Sequence, residues 1–349
     1  MTLAPPPAGG SRPGSGPPTI REVARQAQVS PMTVSRTLRD DPGVSAATRA
    51  RVMDAVLALG YRPNEAARTL RLGRSSGLIG LVVTNLANPF YSQLTLGVEA
   101  VATEHGMRVL LGNSGSDPAR ERQLVHDFAA RRVAGLIAVP CHNDHSHLDP
   151  GRLGGLPVVL AGSPPVKIGV DAVLLDDFTG SWEATRHLIA RGHRRIAFLG
   201  LPASTWTGSE RFRGYCAALE EAALPVEDRY VWRRQAGAAP AQQATRELLD
   251  DSDPPTAIFA ANNRNTVGAY RAIRQRGAAT ALTGFDDFEL ADALAVPLTV
   301  VAYEPREMGA AAARLLRDRI GNAGAAQAPR RVVIPTTIVE YGAAAGEPA

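Results

Sequence analysis

Between residues 19 and 61 the apolar positions recur with helical spacing. Ile20, Val23, Ala24 and Ala27 stand at i, i+3, i+4 and i+7, which predicts a first helix with one apolar face. Val29 follows in a turn. Ser30 is then a candidate cap for a short second helix, Pro31 to Arg39, with proline at the first position, where a missing N–H costs nothing. A third helix, "SAATRARVMDAVLALGY", would start on Ser45, bury Val52, Val56 and Leu59, and stop at Gly60. With Val34 and Leu38 turned inward at 100° per residue, Met32, Ser35, Arg36 and Arg39 come out on the opposite side of the second helix. Two short helices across a tight turn, the second presenting a free face, match the geometry that enters a DNA major groove. The same pattern also fits a small helical bundle with a solvated face.

Beyond residue 76 the pattern changes. The short apolar runs "LIGLVV", "RVLLG", "GLIAVP", "PVVLAG", "RIAFLG", "YVWRR" and "AIFAAN" are each followed by a polar or helical-period stretch. This alternation predicts parallel sheets covered by helices on both faces, and two such sheets account for the length of 349 residues.

Composition narrows the class. Hydrophobic residues make up 45% and charged residues 21%, and no apolar run approaches the roughly 18 residues of a membrane span. Two cysteines, Cys141 and Cys216, cannot build a disulfide framework, and the leader "MTLAPPPAGGSRPGSGPP" lacks an apolar signal core. A cytoplasmic protein with a disordered stretch over 1–18 is expected. Charge is divided unevenly: residues 1 to 75 carry eleven arginines against five acidic residues, a net +6, while the remainder is net −2. Positive charge confined to one module is what a polyanion-binding segment requires. Lys167 is the sole lysine, so the use of arginine reflects overall composition rather than a choice for bidentate recognition.

The run "TIREVARQAQVSPMTVSRTLRDDPGVSAATRARVMDAVLALGYRPNEAARTLRLGRSSGLIGLVV" closely resembles the start of the LacI/GalR family of bacterial transcription regulators. "NPFYSQL", "RRVAGLI", "HLIARGHRRIAFLG", "ERFRGYCAAL", "GAYRAI" and "GFDD" extend the resemblance to about residue 340. It implies an N-terminal all-α helix-turn-helix module, 19–62, and a hinge helix with linker, 63–75. It also implies an α/β ligand domain of two doubly wound subdomains, periplasmic-binding-protein-like, over 76–340, with a flexible tail over 341–349. In the family the two subdomains are joined by three crossovers and hold the effector between them. The hinge helix orders on DNA and inserts a leucine into the minor groove; Leu70 holds that position, flanked by Arg68 and Arg71. A lone apolar side chain in an Ala/Arg-rich segment has no core to enter, and an inserted wedge kinks DNA.

The resemblance and the chemistry together nominate site residues. On the second helix Met32 and Arg36 are expected to read bases, Thr33 and Ser35 to touch phosphates, and Thr19, Pro31 and Arg39 to complete the DNA face. Pro31 has no N–H and Met32 offers mainly apolar contact, leaving Arg36 as the main hydrogen-bonding reader. Arg211 matches the family arginine that clamps the effector, and a guanidinium suits hydroxyls, carboxylates or phosphates. Asp286 can accept from paired hydroxyls, Asn262 offers a donor and an acceptor, and Phe90, Trp206 and Tyr303 can wall a sugar ring. The chain departs from the family at Gly162 and Ser163, where an Asp-Arg pair is common, and at Asn263, where aspartate is usual. The segment "RQRGAATALTGFDD" is also shorter than the family's, which leaves the placement of Asp286 open. A plain sugar is the expected effector, with phosphorylated or nucleoside-like ligands left open.

Other chemistry has little support. "CHNDHSHLD", Cys141 to Asp149, has the ligand types for a transition metal, but a solvated loop after a strand is expected and no metal is assigned. There is no G-x-G-x-x-G after the first strand, no phosphate-binding loop of Walker type and no G-x-S-x-G elbow. Asp176 and Asp177 are adjacent rather than facing. No cofactor and no enzymatic activity are expected. The expected protein is a homodimeric regulator, a repressor, bound to a near-palindromic double-stranded DNA operator and controlled by a carbohydrate effector, with no membrane partner. The alternatives are a solute-binding protein or an α/β enzyme without DNA binding.

Overall fold

In the computed structural model of the chain, residues 18–61, 77–234, 237–321 and 328–342 are described. The expected leader (apart from Pro18), the hinge segment with Arg68, Leu70 and Arg71, and most of the expected tail lie outside the described residues. The chain divides into two compact units, residues 1–74 and 75–349.

Among the described residues of the first unit there are three helices: α1, Ile20–Ala27, α2, Pro31–Thr37, and α3, Ala46–Leu59. Each starts on a hydroxyl cap. Thr19 and Glu22 form a reciprocal capping box on α1, and Ser30 and Ser45 accept from the amides of Thr33 and Thr48. α2 is shorter than the sequence pattern suggests, with Leu38 as its C-cap. Val23, Ala24, Ala27, Val34, Val52 and Ala55 form the core, and Ile20, Val29, Leu38, Val56 and Leu59 pack around it. Burying these side chains is worth about 1.5–3 kcal/mol for each large aliphatic group, which holds the short helices in place of their weak intrinsic stability.

The second unit contains two six-stranded sheets. The strands are β1 Leu78–Val83, β2 Arg108–Asn113, β3 Gly135–Ala138, β4 Val158–Ala161, β5 Asp171–Leu175, β6 Ile196–Gly200, β7 Val231–Arg233, β8 Ala257–Ala260, β9 Ala281–Phe285, β10 Leu298–Ala302, β11 Arg331–Ile334 and β12 Thr337–Tyr341. The first sheet has the order β11-β5-β4-β3-β1-β2 and is parallel throughout. The second has the order β12-β10-β9-β8-β6-β7, with only β12 antiparallel. β5, β9, β10, β11 and β12 are not among the seven apolar runs quoted from the sequence. Tyr341, where the expected tail begins, is the last residue of β12 and pairs with Leu298. β9 sits in full register between β8 and β10 despite its short approach segment.

The chain passes between the sheets three times. After β5 the helix Asp177–Ala190 packs on strands of the second sheet, after β10 the helix Pro305–Gly321 returns to the first, and β11 leads to β12 through Pro335 and Thr336. The returning helix crosses the helix Pro89–Glu104 where both carry glycine: a Cβ on Gly97 would lie 2.0 Å from the Arg306 carbonyl oxygen, and one on Gly309 2.0 Å from that of Leu94. These glycines set the distance between the two helices. Among the described residues no helix is long and apolar enough to cross a membrane.

Candidate functional site

The outer face of α2 carries the candidate DNA contacts. Val34 and Thr37 are buried, the latter through a hydroxyl bonded to the Thr33 carbonyl at 2.9 Å, while Met32 is 66% exposed. Arg36 is not free: its Nε and Nη2 donate to Asp41 at 2.9 and 3.2 Å. That guanidinium holds the Asp41 carboxyl down at about 2, with help from the Gly43 amide. A Cβ on Gly43 would press on Arg36 Nη2 and oblige that flexible side chain to shift. Arg39 lies along the helix, its Nε donating to the Ser35 carbonyl at 3.0 Å. Thr33 bonds its neighbouring cap Ser30, and Thr19 is engaged in the capping box, so both hydroxyls have structural partners within the unit. Arg49, which sequence reasoning passed over, braces the turn after α2 by donating to Asp40 and to the Asp41 carbonyl. The face thus presents Met32, Ser35 and an arginine whose orientation is preset by Asp41.

In the second unit a cavity of about 460 Å³ lies at the carboxyl ends of the strands, between the two sheets, where open α/β sheets collect ligands. Phe90, Trp206, Arg211, Asn262, Asp286 and Tyr303 all line it. Arg211, on the helix Trp206–Glu221, is 3% exposed. Its Nε donates to Asp177 at 2.8 Å, its Nη1 to the Ala261 carbonyl at 2.7 Å and to Asp286 at 3.0 Å, and its guanidinium lies over the Phe285 ring at 3.5 Å. Tyr303 donates to the same Asp286 oxygen at 2.9 Å. Asp286 has φ +68°, a left-handed backbone that aspartate tolerates better than branched residues do. Asn262 caps the helix Asn263–Arg276 and accepts from the Asn265 amide at 2.8 Å. Phe90 meets the edges of Tyr91 and Tyr303, at 4.9 and 6.1 Å between ring centres.

Asp177, which the sequence shows only as a neighbour of Asp176, anchors Arg211. Burial pushes its carboxyl up from 3.8 to about 6, against the opposing pull of Arg211, and its Oδ2 has no hydrogen-bond partner. A carboxyl raised in the folded state stabilises the fold fully below its unfolded value, and this contribution is lost as pH rises through about 6. Asp177→Asn is therefore expected to gain stability relative to the unaltered protein between about pH 4 and 6 as pH rises. Paired urea titrations across that window check it; a difference that does not vary with pH refutes it.

The departures from the family pattern also find physical reasons. Gly162 has φ +77°, and its carbonyl accepts from Thr207 across the cleft at 3.4 Å. Asn263 donates from Nδ2 to Asn88 Oδ1 at 2.9 Å, also across the cleft. Asn88 Oδ1 already accepts the Phe90 amide at 3.1 Å, so its partner must be a donor; an aspartate at 263 could not serve. Ser163 is buried beside the cavity.

The segment Cys141 to Asp149 is not the solvated loop the sequence suggests. Only Asn143 and Asp144 are exposed, His145 and Leu148 are fully buried, and Cys141 and His142 line the cavity. Glu121, wholly buried on the helix Pro118–Ala130, holds it. Burial alone would raise the Glu121 carboxyl, but His147 and the Cys141 amide outweigh it and keep it below its usual range. Burial and then Glu121 push the Cys141 thiol up to about 12.

The module of capped helices and the cleft between two sheets define a protein that meets DNA with one part and a small molecule with the other. Comparison with known proteins agrees. Residues 19–64 match the model for bacterial regulatory proteins of the lacI family, and residues 76–343 match that for periplasmic binding proteins and the sugar binding domain of the LacI family. The chain is 31% identical over 303 residues to catabolite control protein A of Priestia megaterium, covering 85% of this chain and 91% of that one. It is similar to the solved transcriptional regulator CelR–cellobiose complex, at 32% identity and a TM-score of 0.69 over 93% of this chain and all of that one. It is also similar to the Lac repressor dimer bound to operator and the anti-inducer ONPF, at 27% and 0.77 over 93% and 98%. The chain belongs to the LacI family of bacterial transcription regulators: it is a DNA-binding regulator with an effector domain, not an enzyme.

Proposed function

We propose that this regulator is a cytoplasmic repressor that binds a near-palindromic operator as a homodimer and is controlled by a neutral sugar in the cleft. The convergence of Arg211, which matches the family's effector arginine, and five side chains nominated by their chemistry on one cavity of about 460 Å³ carries the reading. Charge favours a neutral ligand. Arg211 is the cavity's central cation, and Asp177 and Asp286 already flank it, so an added phosphate or carboxylate would meet a floor with excess negative charge. Asp286 and Asn262 suit hydroxyls, and Phe90, Trp206 and Tyr303 suit the apolar face of a sugar ring. The cellobiose bound by CelR and the operator bound by the Lac repressor dimer support the same reading.

On DNA, α2 enters the major groove with Met32 and Arg36 toward base edges, and Ser35, Thr33 and Arg39 nearer the backbone, while Thr19 and Pro31 fix the helix starts. Residues 63–75 act as the hinge, with Leu70 wedged between base pairs and Arg68 and Arg71 beside it. Effector binding alters the angle between the subdomains of 76–340 and so the separation of the paired hinges; by linkage the operator changes effector affinity by the same factor.

Fluorescence anisotropy on a library of near-palindromic operators tests this. Binding should weaken steeply with added salt, and Arg36→Ala should cost about 1–3 kcal/mol of specific affinity at the position it reads, roughly 5- to 150-fold. A flat salt response, or an Arg36→Ala protein that discriminates sites as before, overturns the reading.

A further inference from the structure

Four metal-ligating side chains meet in the cleft wall, from the loop after β3 and the helix Pro118–Ala130. Glu121 has no exposed surface, and an interior carboxylate is costly unless paired. Its Oε2 accepts the Cys141 amide at 2.8 Å, and its Oε1 lies 2.9 Å from His147 Nε2. One ligand atom from each of Glu121, Cys141 and His142 lies within 4.8 Å of the others. The rings of His142 and His147 stand 5.6 Å apart between centres. His142 Nε2 is buried without a hydrogen-bond partner, although buried polar atoms are satisfied in the great majority of cases.

One thiol, two imidazoles and a carboxylate form a mixed set that suits a four-coordinate cation of borderline softness. Around such an ion, neighbouring ligand atoms sit about 3–4 Å apart. Glu121 and His147 are already near that spacing; Glu121, Cys141 and His142 lie within 4.8 Å of one another, a group that does not include His147, so the four must draw together around the ion. A purely structural brace for Glu121 would use the Cys141 amide, the Cys141 thiol and His147; it gives no account of the unpartnered His142 nitrogen.

We propose that Glu121, Cys141, His142 and His147 form a site for Zn²⁺ or a cation of the same class, set in the wall of the effector cleft. Binding releases the Cys141 thiol proton to solvent. It also moves the ring protons of His142 and His147 from Nε2 to Nδ1, so that His142 gives up the bond from the exposed Asp144 amide, 2.9 Å long, and His147 gives up the one it donates to Glu121. His145 takes no part, because its Nε2 faces the His142 carbonyl at 3.0 Å and its Nδ1 accepts the Val166 amide at 3.2 Å. As Cys141 and His142 also line the cavity, an occupied site adds positive charge beside its negative floor.

Full-length protein stripped with a chelator and titrated with Zn²⁺ and Co²⁺ tests the site. One Zn²⁺ per chain should bind with sub-micromolar affinity, and Co²⁺ should give a thiolate charge-transfer band with the intense visible bands of four-coordination. Cys141→Ser should abolish the charge-transfer band, and Cys141→Ser and His147→Gln should each weaken Zn²⁺ at least tenfold. His126→Gln, at an exposed histidine elsewhere on the same helix, should change nothing. Cys141→Ser alters a half-buried loop residue, and an unchanged apo melting curve confirms its fold. Absent binding, equal affinity in the unaltered protein and Cys141→Ser, or a six-coordinate Co²⁺ spectrum without the thiolate band overturns the proposal.

Discussion

Arg211→Ala is expected to abolish the thermal shift that a neutral sugar effector produces, and to lower the stability of the effector domain by about 3–5 kcal/mol. The size follows from what stays behind. Asp177 and Asp286 lie on either side of the guanidinium, both almost wholly buried, and its removal leaves two carboxylates facing each other with no counter-charge. The Ala261 carbonyl loses its donor as well, and the Phe285 face loses its stacked cation. If charge is the cause, adding Asp177→Asn should recover part of the stability but none of the sugar response, because Asp286 and the vacated centre remain. Urea unfolding of the three proteins, with a sugar thermal-shift screen, checks both halves. An Arg211→Ala protein as stable as the parent would show that the trio carries no such strain.

Gly97→Ala should cost about 3 kcal/mol or more although it adds only one methyl group to a helix, where alanine is intrinsically favoured by about 1 kcal/mol. The Cβ would lie 2.0 Å from the Arg306 carbonyl oxygen and 3.0 Å from the Ala310 nitrogen, both backbone atoms that cannot rotate away. The two helices must separate. The helix Pro305–Gly321 covers the first sheet through Met308, Ala312, Leu315 and Leu316, so separation opens that core. Denaturant unfolding measures the loss; a change under 0.5 kcal/mol would mean that the helices slide apart freely.

How much of this was legible in the sequence depended on how local each signal was. α1 to α3 are fixed by caps and i, i+3, i+4 spacing within fourteen residues, and the sequence placed all three, erring only at the C-terminus of α2. The central strands β1, β3, β4, β6 and β8 announce themselves as continuous apolar runs because both faces are covered. β11 and β12 are edge strands with mixed burial and only Pro335 and Thr336 between them, which reads as a turn and not as a passage from one sheet to another. The six nominated cleft residues meet because they follow strand ends, a rule that can be applied to a sequence. Asn88 and Asn263, which are 175 positions apart, and Glu121 beneath the histidine loop could not be paired that way. Glu121 in "PARERQLVHDFAA" looks like one more residue on a charged helix face. "CHNDHSHLD" shows its Cys and His ligand types but not their burial, and so reads as a solvated loop.

The three crossovers also dictate an order of assembly. The first sheet lacks its edge strand, and the helix that covers it, until residues 305–334 are made, and the second lacks β12 until residue 341. Neither sheet is complete before these late segments have been made. The three-helix unit, whose contacts are local and whose sequence emerges first, folds long before. During synthesis the chain therefore acquires its DNA-reading surface well ahead of its sensor, and a protein truncated before β11 would carry an operator-binding module that no effector can govern.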